Sequence, residues 1–189
     1  MINEKSMTKY LAGALFLLCT APASGQVYIC TNADITFFSE APIENIKGET
    51  STAVSALNIN NGELYFKVAI RSFNFHRSLM QEHFNEDYLQ SDQFPYAQFK
   101  GRIPDSVDLT KPGTYTVKVK GYLTIHHVTK ECTTNGNITV KPGEIITHAV
   151  FSVKPQNYDV KVPRLLTENI AQNVQVTVNA DYRLKPASR

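Results

Sequence analysis

Along most of this chain, apolar side chains recur at every second residue. Residues 62–71 (GELYFKVAIR) set Leu64, Phe66, Val68 and Ile70 on one face and Tyr65, Lys67 and Arg71 on the other. Residues 114–125 alternate Tyr115, Val117, Val119, Leu123 and Ile125 with Thr116, Lys118, Lys120 and Thr124. Residues 174–183 do the same with Val174, Val176, Val178, Ala180 and Tyr182 against Gln175, Thr177, Asn179, Asp181 and Arg183. Weaker alternation covers 34–39, 49–59, 95–103, 134–141 and 145–154. Successive side chains of a strand point to opposite faces, so the pattern predicts strands with one buried face. Parallel strands covered on both faces would read as unbroken apolar runs. Turns are predicted at Asn60-Asn61-Gly62, Lys111-Pro112-Gly113, Asn135-Gly136 and Lys141-Pro142-Gly143. The fold class is mainly β, with about eight antiparallel strands.

One sizeable segment changes period. From Arg77 to Leu89 (RSLMQEHFNEDYL), Leu79, Met80, His83, Phe84 and Tyr88 share one side of a helix. Gln81, Glu82, Asn85 and Glu86 share the other. A short second helix is predicted over 165–171. So few helices cannot cover a flat sheet with one apolar face, so the strands must face another sheet or close on themselves. An immunoglobulin-like sandwich typically carries a buried Trp, and this sequence has no Trp. A helix inserted between early strands fits across the mouth of a barrel. We therefore predict an eight-stranded antiparallel barrel, a size that is either filled by side chains or wide enough for one small ligand.

Composition narrows the class without naming a ligand. Hydrophobic residues make up 42% and charged residues 19% of the 189 positions, which describes a globular domain. The net charge is +2 and the basic residues are scattered, so no nucleic-acid footprint is present. Residues 1–25 read as a secretory signal peptide: Lys5 and Lys9, then the short apolar stretch Leu11–Cys19, then Ala21-Pro22-Ala23. That stretch falls short of the roughly 20 residues a membrane-spanning helix needs. The expected domain then occupies 26–185, with 186–189 as a tail, in the periplasm or outside the cell. No transmembrane span is expected in the mature chain. Export to an oxidising compartment makes Cys30 and Cys132 a candidate disulfide pair.

Several segments together resemble the YceI-like family of exported lipid-binding proteins: ITFFSEAPIENIKG at 35–48, RSFNFHRSLMQEHFNEDYLQSDQFPYAQFKG at 71–101, GTYTVKVKGYLTIHHVTK at 113–130 and NVQVTVNADY at 173–182. The second combines an F-x-F stretch, the helix with MQEHF, and Asp92, Phe94, Pro95, Ala97 and Phe99. The third carries the L-T-I-H-x-V-T-K run from Leu123 to Lys130. That run departs from the family pattern at His127, where Gly is common, which puts the local turn in question. The resemblance implies an extended lipocalin-like barrel that binds a polyisoprenoid or quinone-type lipid chain in its interior. It needs no cofactor for this.

The inward stripes would then line the ligand. Candidate lining residues are Phe37, Leu64, Phe66, Val68, Ile70, Val117, Val119, Leu123, Phe151, Val153, Val176 and Val178, joined by Leu79, Met80 and Phe84 from the helix. A solid barrel core would use the same side chains. Arg71, Arg77, His83 and Tyr88, near the helix, are candidate contacts for a lipid head. The five histidines offer no metal site. His126 and His127 are adjacent, so on a strand they would face opposite ways, and His76 and His83 lie two helical turns apart. No H-E-x-x-H, C-x-x-C or G-x-S-x-G motif occurs. The expectation is a non-enzymatic carrier or buffer, in transient contact with a membrane or another protein. One rival is a solid barrel acting through its surface. The other is an enzyme using His126 or His83 as base.

Overall fold

The computed structural model describes residues 26–40, 45–161 and 173–185. The predicted leader at 1–25, the second helix at 165–171 and the tail at 186–189 lie outside the described residues.

Nine strands are present among the described residues: β1 (Val27–Ser39), β2 (Ile46–Asn58), β3 (Glu63–Ala69), β4 (Asn74–Phe75), β5 (Tyr96–Arg102), β6 (Gly113–Ile125), β7 (Val128–Lys141), β8 (Glu144–Val153) and β9 (Val174–Leu184). Their order is β1-β9-β8-β7-β6-β5-β3-β2-β4, and β1 also pairs with β2. That last pairing closes eight antiparallel strands into a barrel, leaving the two-residue β4 as an extra strand on β2. The predicted barrel is the fold observed. Closure pairs β1 with β2 and so removes the two outer edges that an open sheet of these strands would leave.

Local departures have physical causes. The strand expected through 71 ends at Ala69, and Ile70–Ser72 form a 3-10 turn with the Ile70 amide donating to the Pro95 carbonyl at 2.9 Å. The turn predicted at Asn135-Gly136 is absent, because β7 runs straight through both residues. The chain reverses instead at His126-His127, whose φ angles of 47° and 60° place both in the left-handed region. Two consecutive residues at positive φ between the paired Ile125 and Val128 make the tight hairpin turn that matches strand twist. Glycine suits such a position best, so His126 and His127 hold a backbone that their side chains disfavour.

The helix expected over 77–89 is α-helical for Ser78–His83 (α1) and widens to a π-helical turn over Phe84–Tyr88, where the Leu89 amide donates to the Phe84 carbonyl at 3.0 Å. It lies at the end of the barrel holding the C-terminal ends of β1, β3, β6 and β8. We call that end the mouth and the opposite end the floor.

Packing differs between the two ends. At the floor, Tyr28, Leu57, Ile103, Leu109, Ile145 and Tyr182 are buried together in the main core. The 103–112 loop seals them in, anchored by the Ile103 amide on the Gly62 carbonyl at 2.9 Å. Within this core Ser55 Oγ donates to the Tyr65 carbonyl at 2.7 Å and lies 2.7 Å from the Tyr182 hydroxyl. The phenol therefore donates to Ser55, and its burial pushes its ionisation well above the ordinary tyrosine range.

Candidate functional site

Above the packed floor the barrel is hollow. A cavity of about 480 Å3 occupies the mouth half, within the range of small-molecule sites. On several strands the same inward stripe changes role along its length. On β1, Tyr28 and Cys30 belong to the core, whereas Ile35 and Phe37 face the cavity. On β9, Tyr182 and Ala180 are core and Val178, Val176 and Val174 are wall.

Fourteen of the fifteen candidate lining residues border this cavity: Phe37, Leu64, Phe66, Val68, Ile70, Met80, Phe84, Val117, Val119, Leu123, Phe151, Val153, Val176 and Val178. Leu79 does not, and is 62% exposed. The helical pattern left two adjacent stripes to choose from. Met80, Phe84 and Tyr88, spaced by four residues, face inward. Leu79 and His83 belong to the neighbouring stripe, where His83 Nδ1 lies 2.5 Å from Asp87 Oδ2.

The roof over the mouth is aromatic. Phe37 stacks on Phe84 at 5.2 Å between centroids, and Phe73 and Phe75 lie 5.4 and 5.5 Å from Phe37. Gly48, opposite both Phe37 and Phe75 in register, makes room: a Cβ there would sit 2.5 Å from the Phe37 ring. Phe99 is accommodated in the same way. Its ring covers the cross-strand pair Gly101 and Gly121, and a Cβ on either would lie within 2.6 Å of it.

Phe73, Phe75, Phe99, Ile35, Ile138 and Tyr158 are wall residues that the stripe reading did not include. Phe73, Phe75 and Phe99 stand in the segment resembling the family. Phe75 packs over Gly48 and Phe99 over Gly101 and Gly121, contacts that leave no periodic signal.

The proposed head-group residues separate. Arg71 forms an ion pair with Asp92 on the exterior, and His83 is engaged with Asp87. Arg77 stands exposed at the N-terminal end of α1 and does not border the cavity. Tyr88 alone borders the cavity; burial first, then the Asp87 carboxylate, raise its ionisation above the usual range.

The disulfide is not formed. Cys30 and Cys132 are free thiols, Cys30 in the floor core and Cys132 on the cavity wall, with β9 and β8 between their strands. Burial pushes the Cys132 thiol up. His126 lies in the turn rather than on a strand, its Nε2 3.1 Å from Gln90 Oε1 and its ring 4.4 Å from Phe94. Neither His126 nor His83 borders the cavity. Among the described residues no group of His, Cys, Asp and Glu side chains could hold a metal, and no helix is long and apolar enough to cross a membrane.

A barrel with one packed end and one apolar hollow end defines a protein built to enclose a small apolar molecule. The YceI-like domain family model matches residues 30–182, and the chain belongs to that family. No curated protein sequence matches it. Among solved structures, the fold is similar to a polyisoprenoid binding domain from Saccharophagus degradans implicated in plant cell wall breakdown. That match has a TM-score of 0.72 at 14% identity, covering 84% of this chain and 98% of the other. It is similar also to BcnA of Burkholderia cenocepacia, with a TM-score of 0.68 at 14% identity over 79% and 95% of the two chains. A YCEI protein of Campylobacter jejuni matches with a TM-score of 0.53 at 18% identity over 74% and 88%. At these identities the likeness is one of fold.

Proposed function

We propose that this protein is an exported, non-enzymatic carrier or buffer that holds a long-chain polyisoprenoid or quinone-type lipid in the hollow half of its barrel. The cavity of about 480 Å3, walled by Val, Leu, Ile and Phe side chains, carries this reading. Each CH2 withdrawn from water contributes about 0.8 kcal/mol, so a prenyl chain can be held tightly without any pattern of hydrogen bonds along its length. Family membership and the similarity in fold to a polyisoprenoid binding domain support the ligand class. The leader-like residues 1–25 support export. The placement of His126 and His83 away from the cavity, each with a polar partner, supports binding without catalysis.

The test is native mass spectrometry of the protein purified without detergent, followed by solvent extraction and lipid mass analysis. A discrete added mass that extracts as a prenyl chain is the expected result. A ligand-free protein that also fails to take up offered quinones and prenyl lipids would overturn the reading.

A further inference from the structure

The barrel wall is split on one side of the cavity. β7 and β8 pair from Lys141↔Glu144 only as far as Gly136↔Ala149. Beyond that point β7 continues to Val128 paired with β6 alone, and β8 continues to Val153 paired with β9 alone. Among the described residues no backbone hydrogen bond crosses the gap.

Strand geometry says which groups face it. The tight turn makes Ile125 and Val128 a hydrogen-bonded pair, so alternate residues of β7 counted from Val128 direct their N–H and C=O toward β6. Those between, including Thr133 and Asn135, direct theirs toward β8. The turn between Lys141 and Glu144 sets the matching phase on β8, where Val150 and Ser152 direct theirs toward β7. A row of unladdered donors and acceptors thus lies along both rims. The cavity reaches it: Thr133, Asn135, Val150 and Ser152 border the cavity although all four stand at outward positions on their strands, and Val150 is 41% exposed.

We infer that this fork between β7 and β8 seats the polar head of the ligand, and that the head is uncharged and hydrogen-bonding, as a quinone carbonyl or an alcohol is. The inference rests on the lipid-binding reading and adds to it the head's place and chemistry. Open backbone amides and carbonyls, with Thr, Asn and Ser side chains beside them, satisfy oxygen atoms that accept or donate. The rim residues Thr133, Asn135, Val150 and Ser152 carry no charge. Among the described cavity-bordering residues the basic side chains are Lys67, whose ammonium sits 3.7 Å from the centre of the Tyr96 ring, and His148, whose Nδ1 lies 2.7 Å from Asn179 Oδ1. The head-group position expected beside the helix is occupied instead by the Phe37, Phe73, Phe75 and Phe84 rings, which suit a hydrocarbon chain.

The chain contains no Trp, so a single introduced Trp reports cleanly on a quinone, which quenches indole fluorescence at short range. Val150→Trp and Asn135→Trp place the reporter on either rim of the fork, and Leu79→Trp places it on α1. Each delipidated variant, and the unsubstituted protein, is offered a prenylated benzoquinone, and uptake is measured independently by extraction. Several-fold stronger quenching at Val150→Trp or Asn135→Trp than at Leu79→Trp is expected. Loss of uptake in both rim variants, with Leu79→Trp unaffected, equally supports a ligand in the fork. Stronger quenching at Leu79→Trp overturns the assignment. A prenyl alcohol should displace the quinone at least about tenfold better than the diphosphate of the same chain, and equal displacement overturns the uncharged head. Failure of the unsubstituted protein to take up the quinone or either prenyl lipid removes the lipid-binding reading itself, and this inference with it.

Discussion

Replacing Val119 with Phe distinguishes a hollow barrel from a filled one by the sign of a stability change. Val119 is 4% exposed on β6, pairs in register with Thr134 of β7, and projects into the cavity. The larger side chain adds about four carbon atoms, worth up to about 3 kcal/mol at 0.8 kcal/mol per buried CH2. Incomplete contact with the far wall and the compact unfolded chain reduce that ceiling. A gain of about 1 kcal/mol is the expected outcome for ligand-free protein. In a fully packed barrel the same substitution would force neighbours off their rotamers and cost about 1–3 kcal/mol. Urea denaturation of the delipidated protein measures the difference, read as a shift in midpoint at constant slope. A loss of more than about 1 kcal/mol at unchanged slope would refute the hollow interior. The variant should also take up less prenyl lipid, since it fills the space the chain would occupy.

Three further outcomes follow from particular contacts. Tyr182→Phe removes the hydroxyl that donates to Ser55 in the floor core and should cost about 1–2 kcal/mol at neutral pH, measured by denaturant unfolding. Because burial raises the Tyr182 ionisation, its contribution is fully present below the unfolded tyrosine value of about 10 and is lost as pH rises toward the folded value. The unsubstituted protein should therefore weaken above about pH 10 more steeply than Tyr182→Phe, and parallel pH profiles would contradict that. His127→Gly relieves a left-handed backbone at an exposed position and should change stability by between zero and about +1 kcal/mol; a loss above about 1 kcal/mol would show that the ring contact with Phe94 outweighs the backbone. Cys132, on the cavity wall with its thiol pushed up by burial, should react slowly with a small alkylating reagent at pH 8 and more slowly still when lipid is loaded, while Cys30 stays unreactive in both states.

The barrel was legible in the sequence because each strand buries one face, so Leu64, Phe66 and Val68 or Val174, Val176 and Val178 mark that face at a period of two. Whether the interior is packed or hollow was not, since Tyr182 in the core and Val176 on the wall occupy the same stripe of β9. The helix pattern resolved the segment but not its rotation: Leu79 and Met80 are adjacent, one turned to solvent and the other to the cavity. The hairpin reversal was misplaced because Asn135-Gly136 has the chemistry of a turn, whereas His126-His127 adopts the backbone of one against its residue preferences. The parting of β7 from β8 was not read, because alternation continues along β8 through Phe151 and Val153 past the last pair, although β7 from Thr129 to Asn135 is polar apart from Cys132. Pairing of the cysteines depended on where three intervening strand contacts carried Cys30 and Cys132, which spacing along the chain does not encode.

The separation of a packed floor from a hollow mouth divides two kinds of evolutionary constraint. Residues such as Leu57, Ile145 and Tyr182 hold the part of the barrel expected to open last in hydrogen exchange, so a change there threatens the whole fold. Wall residues such as Val119, Phe151 and Val176 have empty space on one side, and substitutions among them alter cavity shape with less effect on folding. A scaffold divided in this way can change its cargo through a few substitutions near one end while the other end keeps it folded.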